Sequence, residues 1–185
     1  MDREKSTNNR RTARWMSGIL AGGTVLTALV AGGSAASASE PAAAAGAERC
    51  HTSELAASAT YTDSGAGSAF GTVNLTNTGG RTCYIKGFPG LSFVAGDDGH
   101  QVGSPATMIG DQGDPIAIAP GQAAHAEFAT SNVDAYDAAT CKPVPVRGFR
   151  VYPPGETASL FAPYETRGCS APGVGQPSVK AFRAP

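Results

Sequence analysis

Phe70-Gly71-Thr72-Val73-Asn74-Leu75-Thr76 decides how this chain folds. Gly71, Val73 and Leu75 fall on one side of an extended backbone, and Thr72, Asn74 and Thr76 on the other. That is a period of two, with one face to bury and one for water. Asn77-Thr78-Gly79-Gly80 then stops the run with residues that favour turns.

The same grammar repeats outward. Residues 56–62 predict a strand upstream, across a Gly/Ser-rich turn. Downstream, residues 83–86 predict a strand that ends at Gly87-Phe88-Pro89-Gly90. Residues 91–95 and 100–103 flank Gly96-Asp97-Asp98-Gly99, a strong hairpin signal. Ile116 and Ile118 alternate with alanines before Pro120-Gly121. In residues 123–130, Ala124, Ala126 and Phe128 take one face, and His125 and Glu127 the other. Residues 149–152, 159–161 and 178–182 are the last strands expected, and residues 134–140 predict a single helical turn. The chain holds 24 Gly and 13 Pro in 185 residues, which favours many turns over long helices. The expectation is an all-β, immunoglobulin-like antiparallel sandwich of about seven to nine strands. Tyr61, Tyr84, Phe93, Phe128, Phe149, Tyr152, Phe161 and Phe182 fit core positions, whereas Phe88 and Tyr164 fit loops.

The first forty residues read as an address. Met1 to Trp15 are polar and basic, with Arg3, Lys5, Arg10, Arg11 and Arg14. Residues 16–30 are apolar and small, and Ala36-Ser37-Ala38 closes the segment. This is the order of a cleaved secretory signal, and the apolar run falls short of the ~20 residues that span a bilayer. Arg10-Arg11 raises a twin-arginine route, but Thr12-Ala13-Arg14 follows where an apolar pair belongs. The expected organisation is a signal peptide over 1–38, a linker over 39–49 and a sandwich over 50–185. Membrane contact is then confined to the signal before cleavage. The formal net charge is −1, and the part after Trp15 is more acidic. It lacks the clustered Lys and Arg that phosphate binding needs, which argues against nucleic acid.

Cys50, Cys83, Cys141 and Cys169 all follow the signal. An even count in an exported chain predicts two disulfides. No close Cys pair exists to hold zinc or run redox chemistry. Three connectivities are open. Cys50–Cys169 with Cys83–Cys141 is the expected one, because the first bridge would tie the two ends of the fold together.

No catalytic set stands out. Nucleophilic hydrolysis needs a base beside its nucleophile, and His51, His100 and His125 all read as surface residues. Gly90-Leu91-Ser92-Phe93-Val94 fails the nucleophile-elbow pattern at its last position. The acids Asp97-Asp98, Asp111 with Asp114, and Asp134 with Asp137 sit in turns, where Asp bonds its own backbone. No cofactor or metal is expected. Asn74-Leu75-Thr76 matches a glycosylation pattern, but in mid-strand. Ligand binding would most naturally use loops at one end of the sandwich, which makes Phe88, Asp97, Asp98 and His100 the candidate ligand residues.

Several blocks stand in order: Leu75-Thr76-Asn77-Thr78-Gly79, then Cys83-Tyr84-Ile85-Lys86-Gly87-Phe88-Pro89-Gly90, then Ile118-Ala119-Pro120-Gly121, then Val151-Tyr152-Pro153-Pro154-Gly155. With Cys50 and Cys141-Lys142-Pro143, they resemble the actinobacterial secreted family catalogued as domain of unknown function 4232, over about residues 50–182. The resemblance implies export, often to the cell envelope, and a β-sandwich. It carries over no activity and no catalytic residue. The functional expectation is a secreted, monomeric, non-enzymatic binding module, extracellular or associated with the cell wall, for a cell-wall glycan or a secreted protein. The alternatives are a secreted protease inhibitor presenting Lys142, and an extracellular hydrolase using His125 with Glu127.

Overall fold

Val73 and Leu75 have no solvent exposure, and the strand that carries them pairs on both sides. The computed structural model describes residues 46–185. The expected signal and most of the linker lie outside the described residues. Among the described residues eleven strands form: β1 (Leu55–Gly65), β2 (Ser68–Asn77), β3 (Cys83–Ile85), β4 (Gly90–Ala95), β5 (His100–Val102), β6 (Thr107–Met108), β7 (Ile116–Ile118), β8 (Ala123–Ser131), β9 (Pro143–Tyr152), β10 (Leu160–Cys169) and β11 (Ser178–Val179). One sheet has the order β1-β2-β8-β11-β6, a second β10-β9-β4-β5, and β3 pairs with β7. Among the named strands, all ladders are antiparallel except β11 with β6. β1-β2-β8 facing β10-β9-β4-β5 is an immunoglobulin-like strand arrangement. The one strand with no counterpart in the expected set is the two-residue β6.

The core lies between the sheets. Val73, Leu75, Ala124, Ala126 and Phe128 come from one side, and Leu91, Phe93, Phe149, Val151 and Ala162 from the other. Their alternation in β2 and β8 follows the expected faces. Phe128 meets Phe149 at 4.9 Å between ring centroids, and Phe93 stacks on Phe149 at the same distance. Tyr164 belongs to β10 rather than to a loop, and its ring closes the cluster at 5.2 Å from both Phe128 and Phe149. Burial raises its phenol pKa. Tyr61 and Phe161 depart from their expected core positions, at 54% and 49% exposed. Tyr61 sits at a register shift in β1, and Phe161 is drawn over Gly148, as described below.

The helical turn expected over 134–140 forms as a 3-10 turn, Val133–Ala135, and one short helix, α1 (Ala138–Cys141). Asp137 caps α1 by accepting the Ala139 and Thr140 N–H groups. Asn132 caps the 3-10 turn in the same way. None of the described helices is long and apolar enough to cross a membrane.

The disulfides are Cys50–Cys83 and Cys141–Cys169, which corrects the expected pairing. Backbone pairing explains it. Cys50 N–H donates to the Tyr84 carbonyl at 3.0 Å, and Tyr84 N–H to Glu48 at 2.9 Å. That short parallel ladder sets Cys50 beside Cys83, with 4.9 Å between their Cα atoms. The last residues of the expected linker therefore already belong to the fold. Cys141 ends α1 and Cys169 ends β10, whose partner Pro143 follows Cys141 by two residues. Each bridge closes a local loop, of 33 and 28 residues in sequence separation, worth about 3–4 kcal/mol in chain-entropy terms. Among the described residues, the buried apolar side chains run from Cys50 to Phe182, so residues 39–185 contain that whole core and are expected to fold as a unit. Peptide mapping of that oxidised chain should give the two local cross-links, with no thiol alkylated before reduction. A Cys50–Cys169 peptide would refute this fold.

Two carboxylates lock the segment after Cys50. Thr52 donates its N–H and its hydroxyl to Glu156 Oε2, both at 3.0 Å. Arg81 Nε and Nη2 grip the two oxygens of Glu54 at 2.7 and 2.8 Å. The Arg81 bond, above all, holds the Glu54 carboxyl below its ordinary range, and the Thr52 N–H does the same for Glu156. A folded pKa below the unfolded one means that stability is complete above the unfolded value and lost as pH falls through the folded one. In an NMR titration the Thr52 and His51 amides should hold their shifts through the usual glutamate range and move only below it. Movement centred on the usual range would remove both locks from the account.

Candidate functional site

The β4–β5 hairpin turns through residues 96–99, with Gly96 at φ 63 and Gly99 at φ 66. Those left-handed positions suit glycine, as the hairpin signal predicts. β9 holds the turn down with two arginines. Arg147 Nη1 donates to the Gly96 carbonyl at 2.7 Å and to Asp97 Oδ1 at 3.2 Å. Arg150 Nη2 donates to the Gly99 carbonyl at 2.7 Å. Each guanidinium carries five N–H donors, so both keep donors for a further acceptor.

Under the turn lies an open cleft of about 360 Å3. Val94 and the 96–99 turn form one side; Arg147, Arg150, Leu160 and Phe161 form the other. Gly148 is what lets Phe161 lie there. A Cβ on Gly148 would come within 2.9 Å of the Phe161 ring and 2.3 Å of the Ala162 carbonyl. With no side chain in the way, the ring settles against the sheet and leaves half its surface to solvent.

Strict alternation would put Arg147 and Arg150 on opposite faces of a strand. Both nevertheless line this cleft, and Arg147 lies opposite the register shift between Pro163 and Thr166 of β10. The result is a pocket with two cationic forks, one exposed aromatic face and an apolar patch at Val94. It suits an acceptor-rich or anionic group joined to something flat and apolar.

Of the candidate ligand residues, Asp97 and Asp98 line this cleft and His100 and Phe88 do not. His100 turns to Asp98, whose Oδ1 lies 2.8 Å from its Nδ1, and it lines a separate groove with Gln101 and Val144. The His100 contact holds the Asp98 carboxyl below its ordinary range. Phe88 is half-buried in the β3–β4 connection. Arg147, Arg150 and Phe161 were not among the expected site residues. The Arg147-Gly148-Phe149-Arg150 run carries the one available signal, a glycine between two arginines.

Glu127 is taken by Lys180, which lowers its carboxyl pKa, and His125 forms a backbone bridge with Arg183. His51 lies 3.4 Å from Glu156, inside the lock described above. Lys142 is left-handed, at φ 51, immediately before β9. No group of three or more metal-ligating side chains occurs among the described residues.

Fold and cleft together define a disulfide-linked β-sandwich module. The family model described as Domain of unknown function (DUF4232) matches residues 50–183, and the chain belongs to that family. No curated protein and no solved structure matches the chain.

Replacing Arg150 by Ala removes the donor to the Gly99 carbonyl. Amide exchange across residues 96–99 should quicken by about tenfold, while global stability falls by no more than ~1 kcal/mol. Unchanged exchange in the turn would show that the arginine does not hold it.

Proposed function

We propose that this chain is an exported, non-enzymatic binding module that takes its ligand in the cleft under the β4–β5 hairpin. The observation that carries the reading is the convergence of Arg147, Arg150 and the exposed Phe161 ring on one cleft. Export is supported by the leader-like first 38 residues and by two disulfides, which persist in oxidising compartments. A non-catalytic role is supported by the cleft's titratable groups: two arginines and two exposed aspartates, with no base poised beside a nucleophile. The ligand would be a secreted protein or a cell-wall glycan presenting an acidic group next to an apolar one. Two guanidiniums next to a ring recognise that pairing through charge-assisted hydrogen bonds and stacking.

N-acetyl-phenylalanine is a minimal probe of this chemistry, and its carboxamide analogue removes only the charge. Titrated into labelled residues 39–185, the acid should shift amides at Val94, residues 96–99 and Phe161, and be recovered unchanged. The carboxamide, and the Arg150→Ala variant with the acid, should bind about tenfold more weakly, or ~1.4 kcal/mol. Equal binding of acid and amide, or shifts confined to another surface, would dismiss the cleft as the site.

A further inference from the structure

The geometry points to a second binding site, distinct from the arginine cleft, that takes a neutral saccharide. It lies at the far end of β10, where a cleft of about 640 Å3 opens between the β1–β2 turn, the end of β8 and β10.

Two irregularities open it. The β1 ladder shifts register between Tyr61 and Asp63, and the β10 ladder between Pro163 and Thr166. β1 and β10 are the edge strands of their sheets on the same side of the sandwich, and they run close together. Bulges bend edge strands and re-aim side chains. Here they leave Tyr61 in the mouth of the cleft with 54% of its surface exposed.

The walls are pinned. Asn132 N–H donates to the Gly67 carbonyl at 2.8 Å, tying the β1–β2 turn to the end of β8. Arg167 Nη1 donates to Asp134 Oδ1 at 2.9 Å, tying β10 to the 3-10 turn. The site is therefore held ready before any ligand arrives, which reduces the ordering cost of binding.

Its chemistry differs from that of the arginine cleft. The single cation is matched by the single carboxylate, so the lining has no net charge to offer an anion. What remains is one aromatic face and a set of small hydroxyls and an amide: Ser64, Ser68, Asn132 and Thr166 line the same cleft. The Asn132 oxygen is occupied by the Asp134 N–H, which turns its amide NH2 into the available donor. A sugar ring has one apolar C–H face and a rim of hydroxyls that each donate and accept. The Tyr61 ring suits the face. The fork of Arg167, the carboxylate of Asp134 and the Asn132 amide suit adjacent hydroxyls.

The test uses oxidised, labelled residues 39–185 with two neutral probes, triacetylchitotriose and maltotriose, and inorganic phosphate as the anion. At least one sugar should give saturable shifts at residues 64–69 and 130–134, and phosphate should give none there. Tyr61→Ala should weaken that sugar at least tenfold, and Tyr61→Phe should keep most of the affinity because it keeps the ring. If Tyr61→Ala does not fold, Arg167→Ala decides, with a loss of similar size. The proposal is overturned if neither sugar saturates, if the shifts map to residues 96–99 and 160–161, or if the folded variants bind like the parent. Shifts at 96–99 would credit the sugar to the arginine cleft instead, so the two sites stand or fall separately.

Discussion

Four rings set the distance between the two sheets. Phe128 from one sheet and Phe93, Phe149 and Tyr164 from the other form a continuous cluster with centroids 4.9–5.2 Å apart. Aromatic pairs in such geometries add to the energy of simple area burial. The cluster fits only because glycines stand beside it. A Cβ on Gly71 would lie 2.4 Å from the Phe128 ring, and one on Gly168 would lie 3.1 Å from Phe93. The rings thus dictate small residues on β2 and β10, and those strands accept the weaker local propensity of glycine. The rest of the core is aliphatic infill around this contact.

Because the rings already join the sheets, the disulfides are free to do something else. A bridge between the sheets, as in antibody domains, would duplicate the aromatic contact. Here each bridge fastens a peripheral segment instead. Cys50–Cys83 secures the start of the domain to β3, and Cys141–Cys169 secures α1 to the end of β10. The Glu54–Arg81 and Thr52–Glu156 locks reinforce the first of these. The molecule spends covalent and ionic links where apolar packing is thin.

How much of this was legible depends on whether a residue's environment is set locally. The alternation in β2 and β8 was readable because both strands are paired on both sides and have one buried face. The first half of β9 was not, because Pro143 and Pro145 read as strand breakers. They are tolerated where β4 no longer pairs with β9, whose coverage by β4 ends at Gly148. β10 was cut short for a related reason: it is an edge strand with Pro163 in its middle, which reads as a breaker, although its burial goes on alternating through Gly168. The disulfide pairing was illegible because it follows from a ladder between Glu48 and Tyr84 that no local pattern announces. The turn at Asp97 and Asp98 was legible because a Gly-Asp-Asp-Gly run between two strands marks itself. Arg147 and Phe161 escaped because their placement depends on the β10 shift and on an empty Cβ position at Gly148.

β10 borders two clefts of unlike chemistry. A regular edge strand would present alternate side chains to a single surface along its whole length. In β10 the alternation runs on through Gly168, and the extra residue between Pro163 and Thr166 shifts only its pairing with β9. Before it, Leu160 and Phe161 face the hairpin and its arginines; after it, Thr166 and Arg167 face the β1–β2 turn and Asp134. Each half then takes its character from what stands opposite. Arg147 and Arg150 leave the first cleft cationic, whereas Asp134 neutralises Arg167 in the second. In this module recognition therefore rests on an edge strand, and stability on the regularity of the strands inside it.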